Sequence, residues 1–140
     1  ANRMRLVETC AAEATSPLVS QFLDEFAVSL GKTPVRVASK PAFVVNRCLM
    51  PLLNEAVRTL EERVAPAESI DEAVRLGLNH PMGPLALADL IGLDVVVEIM
   101  ENLARRTGDE TYEPRPTLKA LVTEGKLGRK TGEGFFSYQR

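Results

Sequence analysis

A chain of 140 residues fits one ordinary domain, or a small domain plus part of another. Its hydrophobic fraction of 45% supports a core without covalent staples. A formal net charge of -2, with no long run of Lys and Arg, excludes an electrostatic case for nucleic acid or an anionic membrane as partner.

No stretch approaches the roughly 20 apolar residues of a transmembrane helix, and nothing at the start reads as a signal peptide. The opening ANRMRLVE lacks an initiator Met and reads as a chain entered in its middle. Cys10 and Cys48 lie far apart, without CxxC spacing or a nearby histidine, so they form neither a zinc motif nor a disulfide framework. Buried free thiols in a reducing cytoplasm are the expectation.

Met4 to Cys10 is short, apolar and partly alternating, which predicts a strand carrying one acid, Glu8. Ser16-Pro17 then gives a helix start, a hydroxyl cap followed by proline. Leu18, Val19, Phe22, Leu23, Phe26, Ala27 and Leu30 recur at helical spacing as one apolar face, and Gly31 closes the helix. Pro34 to Ala38 is a second strand. Strand, helix, strand in this length is a βαβ unit with parallel strands. One such unit is too small to cover its own sheet, so these strands need neighbours or a second copy.

Lys40-Pro41 is an extended hinge. From Phe43 and Val44 through Leu60 an apolar pattern predicts a long buried helix with Pro51 inside it, where a kink is expected. Ser69-Ile70-Asp71-Glu72 has the spacing of a capping box and predicts a helix start, with Gly77 and Asn79 ending that helix. His80-Pro81-Met82-Gly83-Pro84 is a rigid turn before a short helix closed by Gly92. Asp94 is expected to cap the next helix, built on Val95, Val96, Ile99, Met100, Leu103 and Ala104. After a polar loop, Thr117 to Glu124 is a last helix. The glycine-punctuated tail ending Phe135-Phe136-Ser137-Tyr138 is apolar enough to pack back on the helices.

The chemical inventory is thin. The tail glycines follow a helix and precede none, so they cannot aim a helix N-terminus at a phosphate. Lys126, Arg129 and Lys130 cluster there, as a solvated turn or beside a phosphate. His80, the one histidine, has no local acid to orient it and reads as a hydrogen-bonded structural residue. Glu8 either sits at an exposed strand end or orients a histidine acting as general base. Asn46, near the head of the long helix, either caps it or presents its amide to a ligand. Arg47 pairs with an acid or with a ligand's carboxylate or phosphate.

Three stretches, PAFVVNRCLMPLLNEAVRTLEE, DEAVRLGLNHPMGPLALADLIGLD and LKALVTEGKLGRKTGEGFFSY, resemble the C-terminal region of 3-hydroxyacyl-CoA dehydrogenases, including 3-hydroxybutyryl-CoA enzymes. The opening MRLVE and the later GKTPVRV resemble the end of that family's NAD-binding domain. The resemblance implies a mostly α, multihelical substrate-binding and dimerisation domain over residues 39–140. Residues 1–38 would be a βαβ remnant of a Rossmann-type domain. It further implies an NAD-dependent oxidoreductase of fatty acid metabolism, cytoplasmic and dimeric or of higher order, with acyl-CoA as substrate. Glu8 matches the glutamate that holds the catalytic histidine, and Asn46 matches the asparagine at the substrate site. That histidine and the Gly-rich cofactor fingerprint would precede Ala1. The chain alone is therefore expected to be inactive and to bind NAD poorly, and no metal is implied. A non-catalytic helical dimerisation or acyl-CoA-binding module, or a hydroxy-acid dehydrogenase of the same fold, are the alternatives.

Overall fold

The computed structural model describes residues 4–138. Ala1–Arg3 and Gln139–Arg140, the outermost residues of the two expected domains, lie outside the described residues. The chain divides into two compact units, Ala1–Val45 and Asn46–Arg140.

In the first unit, β1 (Leu6–Thr9) pairs in parallel with β2 (Thr33–Arg36), with Glu8 opposite Val35. Both strands are shorter than their apolar runs and both fall inside or beside the expected spans. Between them runs α1 (Pro17–Ser29). Ser16 caps it by accepting from the Val19 N–H at 3.4 Å, and Pro17 takes the first turn, where a missing N–H costs nothing. Gly31 closes it at φ 71°, a left-handed position that a side chain resists.

The face of α1 turned to the strands is partly polar: Asp24 accepts from the Thr9 hydroxyl at 3.1 Å and pairs with Arg36. Of the apolar face expected for this helix only Ala27 is buried; Leu18 is 78% and Phe22 64% exposed. The helical spacing is there, but two strands are too few to cover it.

The second unit is helical. Helix α2 (Val45–Glu61) is followed by α3 (Ala67–Gly77), α4 (Pro84–Ile91), α5 (Leu93–Thr107), a 3-10 turn (Glu110–Tyr112) and α6 (Pro116–Thr123). Its core is Met50, Leu53 and Val57 of α2, Leu85 of α4, Val96, Met100 and Leu103 of α5, and Leu118 of α6, each at most 1% exposed. Each such side chain contributes about 1.5–3 kcal/mol by leaving water.

Three expected helix starts are corrected. Helix α2 begins at Val45, not Phe43, because Ala42 and Phe43 take left-handed φ of 61° and 52°, and Phe43 and Val44 are exposed. Helix α3 begins at Ala67 behind an extended Pro66, so Ser69 lies inside its first turn and makes no capping box. Proline's fixed φ favours entry at that earlier point, ahead of the hydroxyl. Helix α5 is preceded by Gly92 as its cap residue; Asp94 sits within the first turn and binds Lys130 instead. The cysteines are free, as expected, but both are exposed rather than buried. Cys48 stands two residues before Met50, on the opposite side of α2 from the core.

Candidate functional site

Glu8 projects from the middle of β1, and its Oε1 accepts the backbone N–H of Val44 at 2.8 Å and of Val45 at 3.3 Å. These amides open α2, where helical geometry leaves N–H groups without partners. The carboxylate thus caps the helix from another strand, with its charge at the positive end of the helix dipole. Left-handed φ at Ala42 and Phe43 costs roughly 1–2 kcal/mol per residue; the bonds to Glu8 immediately follow these two residues and help to hold them. Glu8 is therefore not a free strand end. Its Oε2 makes no hydrogen bond among the described residues.

Asn46 is exposed in the first turn of α2, and its side chain makes no hydrogen bond among the described residues. It does not cap the helix. Arg47, also exposed, lies close enough to Asp109 to matter: bonds from Thr111 hold the Asp109 carboxyl below its ordinary range, and the Arg47 charge adds to this. The backbone N–H of His80 donates to Arg75 at 2.9 Å, but its ring makes no hydrogen bond among the described residues. The hydrogen bond expected of the imidazole is not found among the described residues. The three basic residues of the tail are engaged structurally. Lys126 pairs with Glu124 and Glu133, Lys130 with Asp94, and the Arg129 guanidinium lies 5.3 Å from the Tyr138 ring centre.

Four buried or half-buried polar side chains that sequence reading did not single out organise the helical unit. Asp71 caps α4 by accepting from Leu85 at 2.7 Å and Ala86 at 2.8 Å. Burial pushes its carboxyl up despite these bonds, and the neighbouring Asp89 charge adds to the rise. Asp89, 1% exposed, accepts from the Phe135 and Phe136 N–H groups, both at 3.0 Å, and from the Tyr138 hydroxyl at 2.9 Å. Burial, then that bond, raises the Tyr138 hydroxyl to about 12. Gly128 and Gly134 admit this arrangement, since a Cβ at either would fall within 2.3 Å of Asp89 atoms.

Asn54, 6% exposed, donates to the Thr111 and Glu113 carbonyls and accepts from the Arg115 N–H. Glu61 accepts from the Thr117 N–H at 3.0 Å and from the Arg115 guanidinium at 2.7 Å. Burial alone would raise the Glu61 carboxyl, but those bonds outweigh it and hold the group below its ordinary value of 4.5. A depressed folded-state value means that this stability is present above pH 4.5 and lost as pH falls through the folded value. Glu61→Gln is expected to cost about 2 kcal/mol at neutral pH. It should also flatten the fall of stability below pH 4.5 in urea titrations; an unchanged slope would count against the assignment.

No helix of the described residues is long and apolar enough to cross a membrane, and no cluster of His, Cys, Asp and Glu among them could hold a metal.

Comparison with known proteins bears on this geometry. The family described as 3-hydroxyacyl-CoA dehydrogenase, C-terminal domain, matches residues 43–138. A probable 3-hydroxybutyryl-CoA dehydrogenase of Deinococcus radiodurans is 50% identical over 135 residues, 96% of this chain and 49% of that protein. The 3-hydroxybutyryl-CoA dehydrogenase of Clostridioides difficile is 49% identical over 98% of this chain and 49% of its own length. Among solved structures, (S)-3-hydroxybutyryl-CoA dehydrogenase PaaH1 from Ralstonia eutropha superposes with a TM-score of 0.94 at 44% identity, covering 99% of this chain and 49% of that one. The chain spans about half the length of the curated relatives it matches. A multihelical unit preceded by a parallel strand–helix–strand is the expected fold class. The chain belongs to the 3-hydroxyacyl-CoA dehydrogenase family, of which it carries the C-terminal domain.

Proposed function

We propose that this chain is the C-terminal half of an NAD-dependent oxidoreductase that interconverts a 3-hydroxyacyl-CoA and its 3-oxoacyl-CoA. The observation that carries the reading is likeness over 96% and 98% of the chain to relatives named for that activity. In this reading residues 1–38 close a cofactor-binding domain and residues 39–140 form the substrate and dimerisation domain.

Glu8 holds the imidazole of a histidine that precedes it in the parent protein. That histidine takes the proton from the substrate's 3-hydroxyl as general base. The carboxylate fits the role because Oε1 is engaged by α2 and Oε2 is left for an imidazole N–H. A negative oxygen there fixes the ring's tautomer and favours its protonated form. Asn46 offers an amide donor and acceptor to the substrate from an exposed helix turn.

The residues present do not fit a dinucleotide. The turn from β1 to α1, Cys10 to Ser16, contains no glycine to let a pyrophosphate approach the backbone. NAD is therefore assigned to the rest of the parent, whose substrate is the acyl-CoA. A homodimer in the cytoplasm, serving fatty acid β-oxidation, completes the proposal. The dimer is supported by an apolar groove of about 230 Å³ beside Leu52, Ala56, Val64 and Ile70 of the helical unit, and the reducing compartment by two free cysteines.

The test is the full-length parent with NAD and 3-hydroxybutyryl-CoA, followed by NADH absorbance. Reduction with the thioester is expected. Turnover of CoA-free hydroxy acids alone would overturn the substrate class. Tight acyl-CoA binding without turnover of either would favour a non-catalytic module.

A further inference from the structure

Ala42 and Phe43 are consecutive residues in left-handed conformation, at φ 61° and 52°. The other two non-glycine residues with positive φ among those described, Arg63 and Asn79, stand singly just past the ends of α2 and α3, where one such residue is ordinary. A pair is not ordinary, and a bulky side chain such as that of Phe43 makes the conformation an outlier. Packing does not enforce it, since Phe43 is 43% exposed. Strain of this kind persists only where surrounding bonds over-determine it, and it collects at functional sites.

Main-chain donors make those bonds. The Phe43 N–H donates to the Lys40 carbonyl at 3.1 Å, closing a tight turn. The next two N–H groups, of Val44 and Val45, both reach Glu8 Oε1, at 2.8 Å and 3.3 Å. A helix start commonly takes its acceptor from a Ser, Thr, Asn or Asp beside it. Residues 41–44, Pro-Ala-Phe-Val, offer none, and the acceptor comes from 36 residues away. The direction of the two N–H groups is set by the backbone angles at Ala42 and Phe43. With two donors on one oxygen the carboxyl cannot turn freely, and its planarity fixes where Oε2 stands. Oε2 itself makes no hydrogen bond among the described residues.

We infer that Ala42 and Phe43 are positioning residues for Glu8: their left-handed backbone aims two successive N–H groups at Oε1 and so holds Oε2 in place for the imidazole. This rests on the reading that Glu8 holds the general base, and the test separates the two. In the full-length parent with NAD and 3-hydroxybutyryl-CoA, Ala42→Val places a β-branched side chain where φ is 61° and is expected to lower kcat roughly tenfold. KM for NAD stays unchanged. The acid limb of the kcat/KM profile reports the free enzyme's base. It should move to lower pH, because a carboxylate turned away favours the imidazolium less. Ala42→Gly takes the same φ without strain and should keep both kcat and the acid limb.

In Glu8→Gln no charge is left to aim. Ala42→Val/Glu8→Gln should then match Glu8→Gln alone in kcat, a non-additivity that a purely structural role would not produce. Full additivity in the double variant would overturn the inference, as would a native acid limb in Ala42→Val. Near-normal turnover in Glu8→Gln alone would instead sink the reading of Glu8 itself. If Ala42→Val does not accumulate, Phe43→Val strains the neighbouring, more exposed position and takes its place in the cycle, with the same outcomes decisive.

Discussion

Glu8→Gln in the full-length parent is expected to cut turnover by roughly 10²–10⁴, the range associated with losing an effective general base. The fold should survive it. Glutamine keeps an oxygen for the Val44 and Val45 N–H groups, so the cap on α2 is retained and only the charge at the helix N-terminus is lost. That charge is worth about 0.3–1 kcal/mol. Glu8→Ala removes both, leaving two helix-opening amides without their acceptor, and should cost about 1–3 kcal/mol in addition to the same loss of turnover. The pair of variants separates chemistry from architecture. Near-normal turnover in Glu8→Gln would end the assignment of Glu8 to the base. Equal stability losses in the two variants would end its assignment as a helix cap.

Asp89→Ala should be the most destabilising single change in the helical unit. Asp89 is a buried acceptor serving three donors: the Phe135 and Phe136 N–H groups and the Tyr138 hydroxyl. Removing it strands all three, and the expected loss is about 3–5 kcal/mol in urea unfolding. Tyr138→Phe deletes one donor together with its need and should cost about 1 kcal/mol. A spectroscopic readout runs in parallel. Without the Asp89 charge, the Tyr138 hydroxyl should ionise below its present value of about 12, seen as phenolate absorbance at lower pH. A loss under 1 kcal/mol in Asp89→Ala would show that the tail is held by its apolar contacts instead.

What was legible in the sequence was local. The Ser16-Pro17 start of α1 lies within one turn of the amides it serves, and Gly31 needs only its own φ, so both could be read from neighbours alone. The succession of five α-helices after the βαβ unit followed from apolar spacing. The failures were of competition and distance. Ser69 and Asp94 had the chemistry of caps, but Pro66 and Gly92 turned the chain into the helix earlier. The apolar face of α1 was periodic, yet periodicity does not say whether a covering layer is present. Asn54 reaches a partner 61 residues on and Asp89 one 49 residues on, separations no window captures. Each did leave a trace. A polar residue stood between apolar neighbours, Leu53 before Asn54 and Ala88 with Leu90 around Asp89, where a buried polar group is tolerated only with partners. Glu8 was singled out on the same ground. Its bond to the head of α2, 36 residues away, was not foreseen.

The grip of Asp89 on Phe135, Phe136 and Tyr138 also bears on how the protein is made. A ribosome delivers Asp89 long before it delivers the groups that satisfy it. Until residue 138 has left the exit tunnel, α4 carries an unpaired carboxylate that favours water over the core. Helices α2 to α6 can form and associate during synthesis, but closing them into a dry interior has to wait. A nascent chain stalled shortly before Phe135 should therefore remain open to protease.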